Sequence, residues 1–233
     1  MSDDTGLIIF SRLDSSRLPG KALMQLGSLP LLGHVLERTR LVKGEYRIIL
    51  ATSDREVDDP LVSYAEQQDI DVFRGSFHDV AGRALQCSKA FGLKRFARIC
   101  GDRPFLDPEL IDVLMAIHIK NKLDLATNVA IKTFPSGVAT EVVSTEALEK
   151  IMKNPLDEED REHVTRYFYQ HQDKFKIFNL EATDERYADL NLSVDTEKDA
   201  DRTRWMINHM KNPLQASLKE VVDLAIAWKK NIR

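Results

Sequence analysis

Short apolar runs separated by helix-length segments recur through the first half of the chain, and this alternation constrains the fold more than any other feature. Residues 7–10, 47–51, 71–73 and 95–99 each read as a strand. Between them, Leu31, Leu32, Val35, Leu36 and Leu41 fall at helical spacing over residues 31–42. Asp59-Pro60 predicts a helix start, with an acidic cap followed by proline at the first helical position. Ser76-Phe77-His78-Asp79 resembles a capping box, with Asp in place of Glu, opening a helix to about residue 91. Asp107-Pro108-Glu109 repeats the cap–proline start for a helix to about residue 120. Strands alternating with helices of this length predict an α/β fold, a mostly parallel sheet covered by helices on both faces.

The second half is less regular. Residues 124–128 and 138–143 read as strands around a Phe134-Pro135-Ser136-Gly137 turn, followed by helices at about 145–153 and 159–170. Residues 175–181 and 190–194 read as strands, and 197–210 and 218–229 as helices. In the last helix Leu218, Val221, Val222, Leu224, Ala225 and Trp228 form one apolar face, which suits packing on the chain's own core. Without an internal repeat, a low-complexity tract or a linker, residues 1–233 read as a single domain with a C-terminal helical segment from about residue 197.

Charge decides what kind of partner is expected. The 33 Lys and Arg against 37 Asp and Glu leave a net charge of −4, so no basic surface advertises nucleic acid. Cys87 and Cys100 have neither metal-ligand spacing nor a disulfide framework. The acidic start Met-Ser-Asp-Asp-Thr does not read as a signal peptide, and no apolar run reaches the length of about 18 residues that a membrane span needs. A cytoplasmic protein with no membrane partner is the expectation.

Positive charge is concentrated locally. The strand at 7–10 breaks into a loop bearing Arg12, Ser15, Ser16, Arg17 and Lys21, turned by Pro19 and Gly20. Cations, hydroxyls and backbone N–H groups at the C-terminal end of a strand suit a polyphosphate. The loop is neither a Walker A motif nor a dinucleotide fingerprint. A basic surface turn is the other reading of these residues. Gly101-Asp102-Arg103-Pro104 follows the strand at 95–99, where a carboxylate beside a glycine suits a divalent cation over phosphates; the same residues also suit a simple turn. In Leu192-Ser193-Val194-Asp195-Thr196 another carboxylate stands between a strand and a helix, where Asp195 or Thr196 could equally be the helix cap, with Thr196 and Asp199 as a capping-box-like pair.

Taken together, Arg12-x-x-Ser15-x-Arg17-Leu18-Pro19-Gly20-Lys21, Gly-Asp-x-Pro and Val-Asp-Thr resemble the cytidylyltransferases that make CMP-activated sugar acids, the CMP-Kdo synthetase group and the spore-coat-polysaccharide type. The resemblance runs from about residue 7 to about residue 210. It implies a Rossmann-like nucleotide-diphospho-sugar transferase fold, CTP as substrate, Mg²⁺ as cofactor, a role in surface polysaccharide biosynthesis and a homodimer. It further implies that Arg12 and Lys21 hold the triphosphate as catalytic residues, with Ser15, Ser16, Arg17, Thr52, Arg74 and Asp102 in nucleotide binding. Asp102 and Asp195 become the metal pair, which requires two distant segments to converge. Phe134-Pro135-Ser136-Gly137-Val138 leading to Glu141-Val142, and Arg161-Glu162-His163-Val164-Thr165, resemble the spore-coat type. There a helical face carrying Arg161, Glu162 and Thr165 would meet the acceptor, with His163 acting on its hydroxyl.

Two residues depart from the family pattern. Asp14 replaces a common glycine and adds a carboxylate near the phosphates, which needs a cation such as Arg17 beside it. Arg103 stands where Glu or Cys is usual. The expected reaction is transfer of CMP from CTP to a sugar acid with release of pyrophosphate. The alternatives are a phosphonate, alditol phosphate or sugar phosphate acceptor, or a nucleotide-binding protein without catalysis. A GT-A glycosyltransferase is disfavoured, because Gly-Asp-Arg-Pro stands where an Asp-x-Asp triplet would be expected.

Overall fold

The computed structural model describes residues 4–231. The chain enters through β1 (Thr5–Phe10), buried along its whole length. Leu7 and Ile9 pack into one apolar cluster, Ile8 and Phe10 into another. That is the alternation of a strand covered on both faces. A one-turn 3-10 helix at Lys21–Leu23 and a small hairpin of β2 (Gln25–Leu26) and β3 (Leu29–Pro30) precede α1 (Leu31–Thr39). Then follow β4 (Arg47–Ser53), α2 (Asp59–Gln67), β5 (Asp71–Gly75), α3 (Val80–Ala90), β6 (Arg95–Cys100) and α4 (Pro108–Asn121). The second half contributes β7 (Leu125–Thr127), β8 (Glu141–Ser144), α5 (Thr145–Ile151), α6 (Glu158–Glu162), α7 (Arg166–Gln170), β9 (Ile177–Asn179), α8 (Glu197–His209) and α9 (Leu218–Asn231). No helix among the described residues is long and apolar enough to cross a membrane.

One seven-stranded sheet runs in the order β5-β4-β1-β6-β8-β7-β9. Its pairings are parallel except those of β8, which runs against both β6 and β7. The expected mostly parallel, helix-covered α/β sheet is therefore what the chain builds. From β1 the chain steps outward to β4 and β5, then crosses back to place β6 on the other side of β1. In open α/β sheets this reversal opens a crevice at the carboxyl ends of the strands. Here the loops after β1 and β6 meet so closely that Gly101 N donates to Phe10 O at 2.8 Å. A Cβ on Gly101 would stand 2.8 Å from both Ser11 Cβ and Oγ, so only glycine fits.

Several local expectations are corrected. The helix expected from Ser76 starts at Val80, because Asp79 is the cap and accepts from Gly82 N at 2.8 Å; Ser76 Oγ instead accepts from Asp79 N. Asp59 is not the cap of α2 but its first residue, preceded by a 3-10 turn at Glu56–Asp58. Residues 190–194 are not a sheet strand. Leu190, Leu192 and Val194 are buried as alternation predicts, but their backbone bonds go to loops: Ser136 N to Leu190 O, Leu192 N to Ser136 O, and Val194 N to Asp102 O. The segment is an extended strap, tied to residue 136 by a single isolated bridge.

The C-terminal helices close over this strap. Phe134, Val138, Leu190, Leu192, Val194, Met206, Val221 and Val222 form a third apolar cluster apart from the two that flank the sheet. Arg38 at the end of α1 fastens it. Its buried guanidinium donates to Leu106 O at 2.6 Å, Leu214 O at 3.0 Å and Ala216 O at 3.0 Å.

Candidate active site

The phosphate-type loop after β1 is held from beneath. Leu13 N donates to the buried Asp58 Oδ1 at 2.7 Å, and Gly20 N to Leu13 O at 2.7 Å. Asp58 also accepts from Ser53 Oγ, so the end of β4 is tied to the loop after β1. Gly20 takes a left-handed φ of 74°, which turns the chain into the 3-10 helix and aims Lys21 inward.

Lys21 lies at the centre of the site. Its Nζ donates to Val194 O at 2.7 Å, Asp195 Oδ1 at 2.9 Å and Asp102 Oδ2 at 3.1 Å. The two distant aspartates therefore do converge, on one ammonium group. Asp195 is free to do so because Thr196 takes the cap of α8, in a full capping box with Asp199. Val194 N also donates to Asp102 O at 2.9 Å, which fixes the strap against the loop after β6. Arg17 reaches Asp195 at 2.9 Å.

Arg12 approaches Glu162 at 3.3 Å and lies 5.0 Å from the centre of the Phe77 ring. Asp14 finds its cation in Arg55, with Arg12 at 3.9 Å, and not in Arg17. Arg55 itself stacks 3.7 Å over Phe77. The extra carboxylate is thus neutralised chiefly by Arg55.

Arg12, Ser15, Ser16, Arg17, Lys21 and Asp102 line a cavity of about 320 Å³, together with Glu162 and His163. Arg83 lines it too, a buried arginine on the inner side of α3 whose Nη1 donates to Ser76 O at 2.8 Å. Its presence among Val80, Ala84 and Cys87 was the available signal, since a cation on an apolar helix face is costly without a purpose. Thr52 and Arg74 line neither this cavity nor the next. Thr52 is wholly buried, and Arg74 is bonded to Ser53 O, Arg55 O and Asp59.

A second cavity of about 480 Å³ adjoins the first, lined by Arg98, Arg103, Lys132, Arg166, Glu141 and His163 among others. Arg98 on β6 and Glu141 on β8 are direct cross-strand partners. Arg98 Nη1 donates to Glu141 Oε2 at 2.6 Å. The other oxygen, Oε1, accepts from Thr165 Oγ1 and from Tyr169 OH at 2.6 Å. Burial pushes the Glu141 carboxyl up, but Arg98 and the two hydroxyls outweigh it and leave it below the usual carboxylate range. Burial and the neighbouring Glu141 raise the Tyr169 phenol well above its ordinary value.

The helix expected over residues 159–170 is broken, and the break shapes this cavity. α6 ends at Glu162, and His163 takes an extended backbone before α7 begins at Arg166. The interruption lets Val164 enter the core while Thr165 turns to Glu141. Arg161, Glu162 and Thr165 consequently do not share one helical face. Arg161 lines neither cavity and pairs with Asp79 at 2.8 Å; Glu162 faces the first cavity; His163 lines both.

The cytidylyltransferase family model matches residues 7–227. The spore coat polysaccharide biosynthesis protein SpsF of Bacillus subtilis is 33% identical over 228 residues, covering 95% of this chain and 94% of its own. A cytidylyltransferase structure from Leptospira borgpetersenii shares 28% identity at a TM-score of 0.88, over 98% of this chain and 94% of that one. The structure of CMP:2-keto-3-deoxy-manno-octonic acid synthetase in complex with CTP has the same fold, at 16% identity and a TM-score of 0.67 over 88% and 98% of the two chains. With a family match over nearly its whole length and a full-length relative at this identity, the chain belongs to the cytidylyltransferase family.

Proposed function

We propose that the protein transfers CMP from CTP to a sugar acid, releasing pyrophosphate, as a step in surface polysaccharide biosynthesis in the cytoplasm. The observation that carries this reading is the convergence of Lys21, Asp102 and Asp195 beside a second, cation-lined cavity. The first cavity offers Arg12, Arg17 and Lys21 to the triphosphate, with the Ser15 and Ser16 hydroxyls in reach. The acceptor hydroxyl would attack the α-phosphorus from the second cavity, forming the new P–O bond as the bond to the pyrophosphate oxygen breaks. The hydroxyl proton would pass to His163, which lines both cavities. Lys21 and Arg12 would meet the charge that grows on the leaving pyrophosphate.

Among the described residues no group of three or more His, Cys, Asp or Glu side chains gathers as a complete metal cage. Two carboxylates sharing one ammonium do fit a Mg²⁺ that takes few protein ligands and completes its shell with phosphate oxygens. Asp102 and Asp195 would hold it. When bound, the ion polarises the α-phosphate and offsets leaving-group charge. The excess of cations in the second cavity also favours a second reading, in which the acceptor bears a phosphate or phosphonate.

The test is pyrophosphate release from each of the four nucleoside triphosphates with Mg²⁺ and a panel of sugar acids and sugar phosphates. Release with CTP and one acid supports the proposal. Release only with a phosphate-bearing acceptor moves it to the second reading, and CTP binding without release from any acceptor overturns it. A homodimer is the expected assembly, to be checked by light scattering on a sizing column.

A further inference from the structure

Arg98 and His163 are the two residues shared by the linings of the two cavities. Of the pair, Arg98 is held still. It sits in the interior of the sheet directly opposite Glu141, its side chain 15% exposed and that of Glu141 3%. Glu141 takes Nη1 and has both its oxygens occupied, while Arg98 Nε has no partner. A buried ion pair adds little to stability compared with a well-packed apolar pair, because desolvation offsets its attraction. It is, however, an effective way to fix a guanidinium at one place with the rest of its fork left for a ligand. The other cations of the second cavity are engaged elsewhere or stand away from the joint. Arg103 Nη1 donates to Ala139 O at 2.8 Å, and Arg166 pairs with Asp157 and Asp160.

The chemistry of the acceptor says what belongs at that joint. In the cyclic form of a 2-keto sugar acid, the attacking hydroxyl and the carboxylate sit on the same carbon. An acceptor lying in the second cavity, with its oxygen reaching the α-phosphorus in the first, brings this anionic group to the boundary between them. We infer that Arg98 receives the acceptor's anionic group beside the attacking oxygen, and that Glu141 is the residue that positions it. This selects acceptors by the anion next to the nucleophile rather than by the rest of the sugar, and it rests on the CMP-transfer reading above.

The experiment compares Arg98→Lys and the double variant Arg98→Gln/Glu141→Gln with the wild type. Lysine keeps a charge opposite Glu141 but loses the fork, while the double variant removes both charges and leaves no buried ion unpaired. The probes are 2-keto-3-deoxy-manno-octonate, its methyl ester, N-acetylneuraminate and glucose 1-phosphate, each with CTP and Mg²⁺. For the acid that turns over, KM should rise about tenfold in the lysine variant and about thirtyfold or more in the double variant, with KM for CTP within about threefold of wild type. The ester should be a poor acceptor for the wild type and no poorer for the variants. Loss confined to the CTP term, or no change in either KM, overturns the inference.

If only the sugar phosphate turns over, the sugar-acid reading falls, and the same KM shift for the phosphate keeps Arg98 in its role. If nothing turns over, calorimetric titration of the same anions into the CTP-loaded wild type and lysine variant decides. Binding lost in the variant sustains the inference without the activity; no binding, or equal binding, sinks it.

Discussion

The two cavities are built from different materials. The first is made of loops, and its charges pair across long stretches of chain: a buried Lys21 with the part-exposed Asp102 and Asp195, and the more exposed Arg17 and Arg12 with Asp195 and Glu162. The second takes Arg98 and Glu141 from neighbouring strands of the sheet, and this ion pair is buried, in register and fully bonded through Glu141. Exposed pairs contribute little to stability and exchange partners readily, so Arg12 and Arg17 can leave their carboxylates for an incoming anion. A buried network resists rearrangement, so the second can hold one fixed geometry. Breaking the first should therefore cost activity, and breaking the second should cost stability as well.

The largest effect is expected at Lys21. Lys21→Met should lower the rate of pyrophosphate release by roughly 10³-fold, as for loss of a preorganised charge at a reacting phosphate. Its circular-dichroism melt should stay cooperative, and a drop in rate below tenfold would contradict the contrast drawn here. Asp102→Asn should be close behind, with the same intact melt.

Acid should separate the cavities next. The Glu141 carboxyl lies below its unfolded value, so the stability it contributes is complete above about pH 4.3 and is lost as pH falls through the lower, folded value. Urea midpoints measured from neutral pH downward should fall in that acid range. They should fall less steeply in Glu141→Gln, although that variant starts from a lower midpoint.

A smaller effect is expected at Tyr169, where Tyr169→Phe removes one hydroxyl from Glu141. The cost should be about 1–2 kcal/mol in urea unfolding, with CTP affinity unchanged. Smallest is Glu162→Gln, which frees Arg12 from an exposed partner. Stability should move by less than about 0.5 kcal/mol, and a larger shift would mean that the loop cavity is more rigid than its exposure indicates.

How legible each cavity was in the sequence follows the same division. The strands at 7–10, 47–51 and 95–99 were readable because each is covered on both faces and so is a short apolar run, interrupted only by Arg47, Arg95 and Arg98. The basic loop, Asp102 and Asp195 were readable because each follows a strand or precedes a helix in a short, recognisable cluster. The helix starting from Asp107 was readable because its cap is local, with Asp107 accepting from Glu109 N. The second cavity left weaker traces. Arg98 is a single charge inside the run Phe96-Ala97-Arg98-Ile99, a signal that is plain only once its partner is known.

Local pattern was enough, then, to specify the mostly parallel α/β architecture and the strand ends that carry the phosphate-type loop, while Arg12, Lys21, Asp102 and Asp195 stood out there as local clusters whose roles rest on the family resemblance. These depend on burial periodicity and on caps and turns within a few residues of one another. Register and long-range contact lay beyond it. The pairing of Arg98 with Glu141 depends on how β8 is laid antiparallel to β6. The break at His163 depends on Val164 being drawn to the core and Thr165 to Glu141, a change that their β-branched side chains, weak in helices, resist little. The strap at 190–194 is extended but joins no sheet, because its bonds are taken by the turn at 136 and by Asp102. In each of these cases a contact between segments far apart in the chain decides the outcome, and no window of neighbouring residues contains both halves of that contact.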